Sequence, residues 1–569
     1  MNSNKIQGMD NPFLQLKLSE NPDMYRDNRY IIGAEMKLKW VLYTWIIFYC
    51  FLIIAWNVMF KEPSGVDNAQ YLAHSIRLYQ TLNMEGVVSF GKLFFFGGPS
   101  KAPLIMLMPL PCYYLLGTDM ITAQLVHVIC FILIAFILFH IGQKLNGTHV
   151  GFFSVIIFSV IPWVFFHARI FLTELPLTLF VIWTIYLLLQ PLRPKLEILL
   201  GIAIGLGLMT KVSYPVFVAG PFILWIFNRW SQDGYTKTIR SLAKIGAIAF
   251  LIFGPWYILN FKRLIDYSWY AITYEPGSMG PIFNIKTILY FWKRLFWDHC
   301  GVYLSILLII AIIGWLQMRK NGAWDFEQRN KLYVIIGGLL VSLIVATFRP
   351  NKQPSHLIPM YPYIAVIVAF GLNWVIHMPK WGKIIRIVVW TLIFIHFAVL
   401  MRVNFALWSE GPDYRPFKVE IFPKKTFTSG LSLWTPSLNL GLVTGFLKDF
   451  KNERSDAKIL VVELDDRFNA SLFDYYGARY GLGFKFSQMA FLPTINEFSL
   501  KELRKFDFIL TINGLHLVWP QPSTVQKVKV WLADKTLFDL MSSIDLKREG
   551  TWVLIYSPKE NGRFEYLRP

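Results

Sequence analysis

Two acidic residues and a set of cations and histidines stand out against an otherwise apolar chain. Asp67, Tyr71 and His74 follow one another at i, i+4 and i+7 in EPSGVDNAQYLAHSIRLYQ, and Leu78 continues the row. A helix beginning near Asp67 therefore sets them on one stripe. Further on, FFGGPSKAPL is a Gly/Pro turn that delivers Lys101 to the membrane surface, and HARIFLTELP places His167, Arg169 and Glu174 at a helix junction. GLGLMTK closes a span on Lys211, and FRPNKQPSHLIPMYP places Arg349, Lys352 and His356 at another junction. Taken singly, Asp67 reads as a solvated helix start that stabilises the N-terminal dipole. Each cation reads as a side chain snorkelling to the interface. Taken together, cations and two carboxylates converge on one end of a helical bundle, around a long loop. Ionisable groups gathered at a membrane edge mark a functional site. His74, His167, Glu174 and His356 offer a divalent-ion site as a further reading, but no tight spacing supports one, and no cofactor is assigned.

The elements that position these groups follow from composition. The chain has 569 residues, 55% hydrophobic, 17% aromatic and only 16% charged, with a mean hydropathy of +0.44. Soluble domains average roughly 45–50% apolar and about 25% charged. Apolar runs recur from Trp40 to Val403, each able to cross a hydrocarbon core of roughly 30 Å. A soluble enzyme, a disordered chain and a disulfide-stapled secreted domain are excluded. Eleven spans are predicted, at about 38–60, 119–143, 148–166, 172–190, 196–210, 214–228, 241–260, 301–318, 331–348, 357–377 and 384–403. The run 102–117 is apolar too, but Pro103, Pro109 and Pro111 break it into an interfacial segment. Cys50, Cys112, Cys130 and Cys300 form no CxxC pair and no zinc spacing. About 35 polar residues open the chain, so no cleavable signal peptide is expected.

The net charge of +20 has a membrane explanation and does not call for nucleic acid as a partner. With the N-terminus cytoplasmic, the inside loops 1–37, 144–147, 191–195, 229–240, 319–330 and 378–383 hold the densest lysines and arginines. The short opposite connections hold only Arg169 and Lys211. The expected topology is N-inside and C-outside. Within the last long outside loop, Lys286–His299 is an amphipathic stretch read as an interfacial floor or gate beside a lipid, not as core. Beyond Val403 the composition changes. Lys458–Leu464, Phe506–Ile512 and Thr551–Ser557 read as buried strands, with helices over 468–480 and 522–540 between them. The alternation predicts a small external α/β domain with a partly parallel sheet. Its Asp465-Asp466 pair reads as a turn.

The order and spelling of the motifs resemble the GT-C membrane glycosyltransferases, in the branch that holds lipid A aminoarabinose transferase and the protein O-mannosyltransferases. The matching pieces are VDNAQYLAHS in the first outside loop, the K-x-P turn SKAP, and TELPLTLF opening a span. GLGLMTK, GPWYILN and KQPSHLIPMYP follow in order, over roughly residues 36–403. The chain departs from the pattern at Asn68, where the family often has Glu after the Asp, and at Ser100, where it often has an acidic residue before the lysine.

The resemblance implies a helical polytopic GT-C domain over 38–403, with its first outside loop at 61–118. It is flanked by a cytoplasmic tail at 1–37 and an external domain at 404–569, in a bacterial inner membrane. The implied reaction moves a sugar from a polyprenyl-phosphate donor to a lipid, glycan or protein acceptor on the outer face. One general base suffices there, assigned to Asp67, because the leaving group is already a phosphate. Lys101, Arg349 and Lys352 are assigned to the phosphate. Tyr71, His74, Arg169, Lys211 and His356 complete the expected substrate site, and Glu174 either orients the acceptor or pairs with Arg169 or Lys211. A transporter or lipid flippase is the competing reading. Against it, no inverted repeat and no paired interrupted helices are visible.

Overall fold

The computed structural model describes residues 22–59, 63, 65–99, 101–191, 193–273, 285–293, 295, 301–320, 326–349, 354–378, 381–405, 443, 457–463, 468–489, 499–513, 522–548 and 551–559. Lys352 and the Asp465-Asp466 pair lie outside these residues. The chain is mostly helical. In order run α1 (Pro22–Met59), α2 (Val66–Met84), α3 (Met120–Val160), α4 (Pro162–Ala168), α5 (Glu174–Leu188), α6 (Pro194–Thr210), α7 (Tyr214–Asp233), α8 (Tyr235–Thr273), α9 (Ile285–Lys293), α10 (Gly301–Lys320), α11 (Phe326–Phe348), α12 (Tyr361–Ile376) and α13 (Gly382–Asn404). Among the described residues, seven helices are long and apolar enough to cross a membrane. This is a multi-pass membrane protein.

The eleven predicted spans fall on ten helices, two of them on α3, and α5, α6 and α7 are not among the seven described helices long and apolar enough to cross. α3 joins two predicted spans, but Asn146 and Gly147 break it, Gly147 at φ 85°. A Cβ on Gly142 would fall 2.5 Å from the Cα of Gly151, so the two halves fold back on each other where only hydrogen separates the backbones. Pro162 ends the second half early and starts the short α4. Leu104–Leu107 and Leu110–Leu116 are short helices parted at Pro109, as the prolines predict. α12 is apolar on all sides and almost wholly buried, which makes it the central helix, packed on α3 and α10. The largest departure is α8. At 39 residues it spans about 58 Å, twice a hydrocarbon core, so it runs on past its predicted end at 260.

α9 also corrects an expectation. Ile285 and Leu289 are exposed, as an interfacial helix requires, but Phe291 and nearby Leu295 are buried in the main core. The helix is both rim and core.

The C-terminal region holds a five-stranded sheet of order β2-β1-β3-β5-β4, with β1 (Lys458–Val461), β2 (Lys485–Gln488), β3 (Phe508–Asn513), β4 (Phe538–Arg548) and β5 (Thr551–Pro558). β1 pairs parallel with β2 and β3, and β5 pairs antiparallel with β3 and β4. Alternate residues face opposite sides. Ile459 and Val461 join a core with α14 (Ala470–Arg479) and with α2, whereas Leu460 and Val462 pack with α15 (Pro522–Ala533). The helix expected over 522–540 stops at Ala533. There Asp534 Oδ1 accepts hydrogen bonds from the N–H and hydroxyl of Thr536, and the chain turns into β4.

Candidate active site

α2 begins where the sequence stripe predicts, behind Gly65, and it presents Asp67, Tyr71 and His74 along one side. Lys101 meets them. Its Nζ donates to Asp67 Oδ1 at 2.6 Å and lies 5.3 Å from the Tyr71 ring centroid and 5.5 Å from that of Tyr267. Two aromatic faces and a carboxylate thus hold one ammonium. Burial opposes charge on Lys101, but the oxygens of Tyr71, Asp67 and Tyr267 outweigh it and hold its pKa well above the usual lysine value. Burial also pushes the Tyr71 phenol up, with Lys101 opposing, so its hydroxyl stays protonated and available as a donor. Asp67 keeps 54% of its side chain exposed, so the carboxylate is both held and reachable.

The loop that carries Lys101 is fastened from α8. Arg263 donates to the backbone oxygens of Phe96 at 3.1 Å and Gly98 at 2.5 Å, and Asn260 Nδ2 donates to that of Phe95 at 3.0 Å. Gly98 sits against His74. A Cβ there would fall 2.9 Å from Nε2 of His74, so a larger residue at this position displaces the imidazole. Burial, then the charges of Arg77 and Arg263, bring the His74 pKa down to about 4, and the imidazole is neutral at physiological pH. Asn260, Arg263 and Tyr267 were missed by sequence reasoning. Their i, i+3, i+7 spacing is the available signal, hidden because the apolar run stops at 260.

A second group packs beside the first. Lys211 Nζ donates to Glu174 Oε1 at 2.8 Å, and Nδ1 of His167 is 3.9 Å from Glu174 Oε2. Of the two partners open to Glu174 in the sequence, the structure selects Lys211. His356 lies within electrostatic reach of Lys211, Arg349 and Glu174. Tyr71 is in reach of Glu174 as well as of Lys101 and Asp67, and so stands between the two groups. Arg169 stands apart. It is completely buried, with its guanidinium carbon 4.2 Å from the Trp56 ring centroid, 5.0 Å from Phe165 and 5.7 Å from Phe166. Its side-chain nitrogens have no hydrogen-bond partner among the described residues. Among those residues no cluster of three or more histidines, cysteines and carboxylates forms a metal site.

The family model described as dolichyl-phosphate-mannose-protein mannosyltransferase matches residues 100–259, from the Lys101 turn into α8. Two solved structures of ArnT from Cupriavidus metallidurans, one bound to undecaprenyl phosphate and one apo, superpose with TM-scores of 0.57 and 0.58 at 13% and 12% identity. They cover 90% of this chain and 97% and 98% of theirs. The chain has the GT-C fold. Within the GT-C fold, the undecaprenyl phosphate-α-4-amino-4-deoxy-L-arabinose arabinosyl transferases of Edwardsiella ictaluri and Serratia proteamaculans are 26% and 23% identical to it over 181 residues. Those matches span about 30% of this chain and 30% of each relative's length.

Proposed function

We propose that this protein is a membrane glycosyltransferase that moves a sugar from a polyprenyl-phosphate carrier to an acceptor on the outer face of the membrane. The observation that carries the reading is the Asp67–Lys101 pair, on an exposed carboxylate, beside the Glu174–Lys211 pair at one end of a GT-C bundle. The similar arabinosyl transferases, named for an undecaprenyl-phosphate donor, support it.

In the proposed reaction the acceptor hydroxyl loses its proton to Asp67 as its oxygen bonds to the anomeric carbon. The bond from that carbon to the phosphate oxygen breaks, and the electron pair leaves with the polyprenyl phosphate. An in-line attack inverts the carbon. Lys101 neutralises charge growing on the departing phosphate, with Arg349 and Lys352 assigned to the same anion, because cations fixed in place before reaction need no reorganisation during it. Tyr71 donates a hydrogen bond between the two groups, and Glu174 with Lys211 ties the start of α5 to the end of α6. His74 closes the Lys101 loop and His356 lines the phosphate side. Arg169 is assigned to the fold, clamping α1 to α4. The N-terminus is placed in the cytoplasm and the C-terminal region outside, on the loop charge bias. The acceptor is a lipid, glycan or protein.

The test is donor consumption. Purified protein in lipid nanodiscs is given radiolabelled undecaprenyl-phosphate sugars with outer-envelope extract as acceptor. Label moves to an acceptor on this reading, and release of neither sugar nor undecaprenyl phosphate from any donor contradicts it.

A further inference from the structure

α2 carries Asp67, Tyr71 and His74, and its place is set from the side. It runs between Gly65 at φ 78° and Gly86 at φ 86°, turn points that leave its direction to lateral packing. One side faces the candidate site. The opposite side, with Ala69, Leu72 and Ile76, shares a hydrophobic core with Leu472, Phe473 and Tyr476 of α14.

Polar ties fix the register of that packing. Arg77 lies ten residues beyond Asp67, about 15 Å along the helix axis. It grips Asp474 of α14 with both terminal nitrogens, Nη1 to Oδ2 at 2.9 Å and Nη2 to Oδ1. Such a two-point contact sets an angle as well as a distance. One turn on, Gln80 Nε2 donates to the Ala478 carbonyl at 2.9 Å. α14 is in turn tied to the bundle. Arg479 Nη2 donates to Asp119 Oδ2 at 2.7 Å, and Asp119 caps α3, its Oδ1 accepting from the N–H of Ile121 at 2.9 Å. α14 is therefore a bracket between a helix of the bundle and the helix that carries the proposed base.

The two partners of the Asp67–Lys101 contact thus hang from different anchors. The Lys101 loop is fastened from α8 by Asn260 and Arg263, and α2 is fastened from α14. Asp67 is 54% exposed, and a contact so open to water adds little rigidity of its own. Its geometry is inherited from the two anchors.

We propose that Arg77 and Asp474 are positioning residues for glycosyl transfer, holding α2 so that Asp67 keeps its working distance from Lys101 and from the acceptor hydroxyl. The proposal rests on the glycosyltransferase reading and gives the C-terminal region a part in the reaction without contact with the reacting atoms. A reacting group misplaced by about 1 Å costs on the order of a hundredfold in rate. Slackening α2 moves the base and leaves the phosphate contacts of the donor in place, so the rate of transfer falls and donor binding does not.

The test uses the full chain in nanodiscs, with kcat and donor KM from radiolabelled undecaprenyl-phosphate sugar and undecaprenyl-phosphate affinity from titration. Arg77→Gln and Asp474→Asn each lower kcat by about ten- to a hundredfold, with donor KM and undecaprenyl-phosphate affinity within about twofold of wild type. Arg77→Lys keeps the charge, loses the two-point grip and falls between. The exchange Arg77→Asp/Asp474→Arg restores kcat to within a few-fold. Denaturant midpoints stay with wild type, because the two side chains are 36% and 25% exposed and the pair adds little to overall stability. Wild-type kcat in both single variants, a loss carried by KM or by unfolding, or a loss that the exchange leaves in place overturns the assignment. Absence of transfer by the wild type bears instead on the glycosyltransferase reading, and the two failures are read separately.

Discussion

Removing the ammonium from Lys211 leaves the Glu174 carboxylate stranded, and the structure sets the size of the effect. The Glu174 side chain is only 8% exposed, that of Lys211 28%, and they meet at 2.8 Å. His167 is 3.9 Å away and neutral in so buried a position, so it does not replace the lost charge. Breaking a buried pair by removing one partner costs about 3–5 kcal/mol, and the partial exposure of Lys211 places Lys211→Met near 3 kcal/mol. Glu174→Gln costs less, because the surviving ammonium reaches water. The double variant Glu174→Gln/Lys211→Met removes both charges and regains most of the loss. The assay is a double-mutant cycle in detergent, with stability read by equilibrium denaturant titration. Losses that simply add, with the double variant worst of all, refute the account of this pair as one electrostatic unit.

Other outcomes are expected together. Lys101→Ala and Arg349→Ala each weaken binding of undecaprenyl phosphate by about 1.5–3 kcal/mol, measured by fluorescence titration, and unchanged affinity in both removes them from the phosphate site. His74 has its pKa lowered to about 4 in the folded protein against 6.5 in the open chain, so the unfolded state binds more protons between these values. Stability is therefore lost as pH falls from 6.5 toward 4, by up to about 3 kcal/mol, and His74→Gln flattens that limb of the pH–stability curve. On a background lacking the native cysteines, a membrane-impermeant thiol reagent added outside labels Lys527→Cys and not Tyr235→Cys.

Much of this was legible because local periodicity carries it. Asp67, Tyr71 and His74 share a stripe through helical spacing alone, and the Gly/Pro content of FFGGPSKAPL announces the turn that brings Lys101 to them. The five-stranded sheet was only partly legible. β2 is four residues of mixed polarity, KFSQ, and β4 follows α15 with no Gly or Pro between, so one pattern ran into the other. The extension of α8 was hidden because its polar residues after 260 look like a loop, although the helix continues and uses them to fasten the first loop. Non-local ion pairs leave no trace in spacing. Arg77 and Asp474 are 397 residues apart, and only folding shows that α2 serves the candidate site on one side and the C-terminal region on the other.

The account turns on Asp67 as the proton acceptor, and one comparison tests it most directly. Asp67→Asn keeps the size and hydrogen-bonding reach of the side chain and loses the base. Donor turnover and donor binding are measured for both proteins in nanodiscs, with radiolabelled undecaprenyl-phosphate sugar. A positioned base contributes about 10²–10⁴-fold, so turnover by Asp67→Asn falls by that order while donor affinity changes little. Turnover within a few-fold of wild type, in a variant that binds donor and unfolds normally, makes Asp67 a helix-start residue held by Lys101 and contradicts the mechanism.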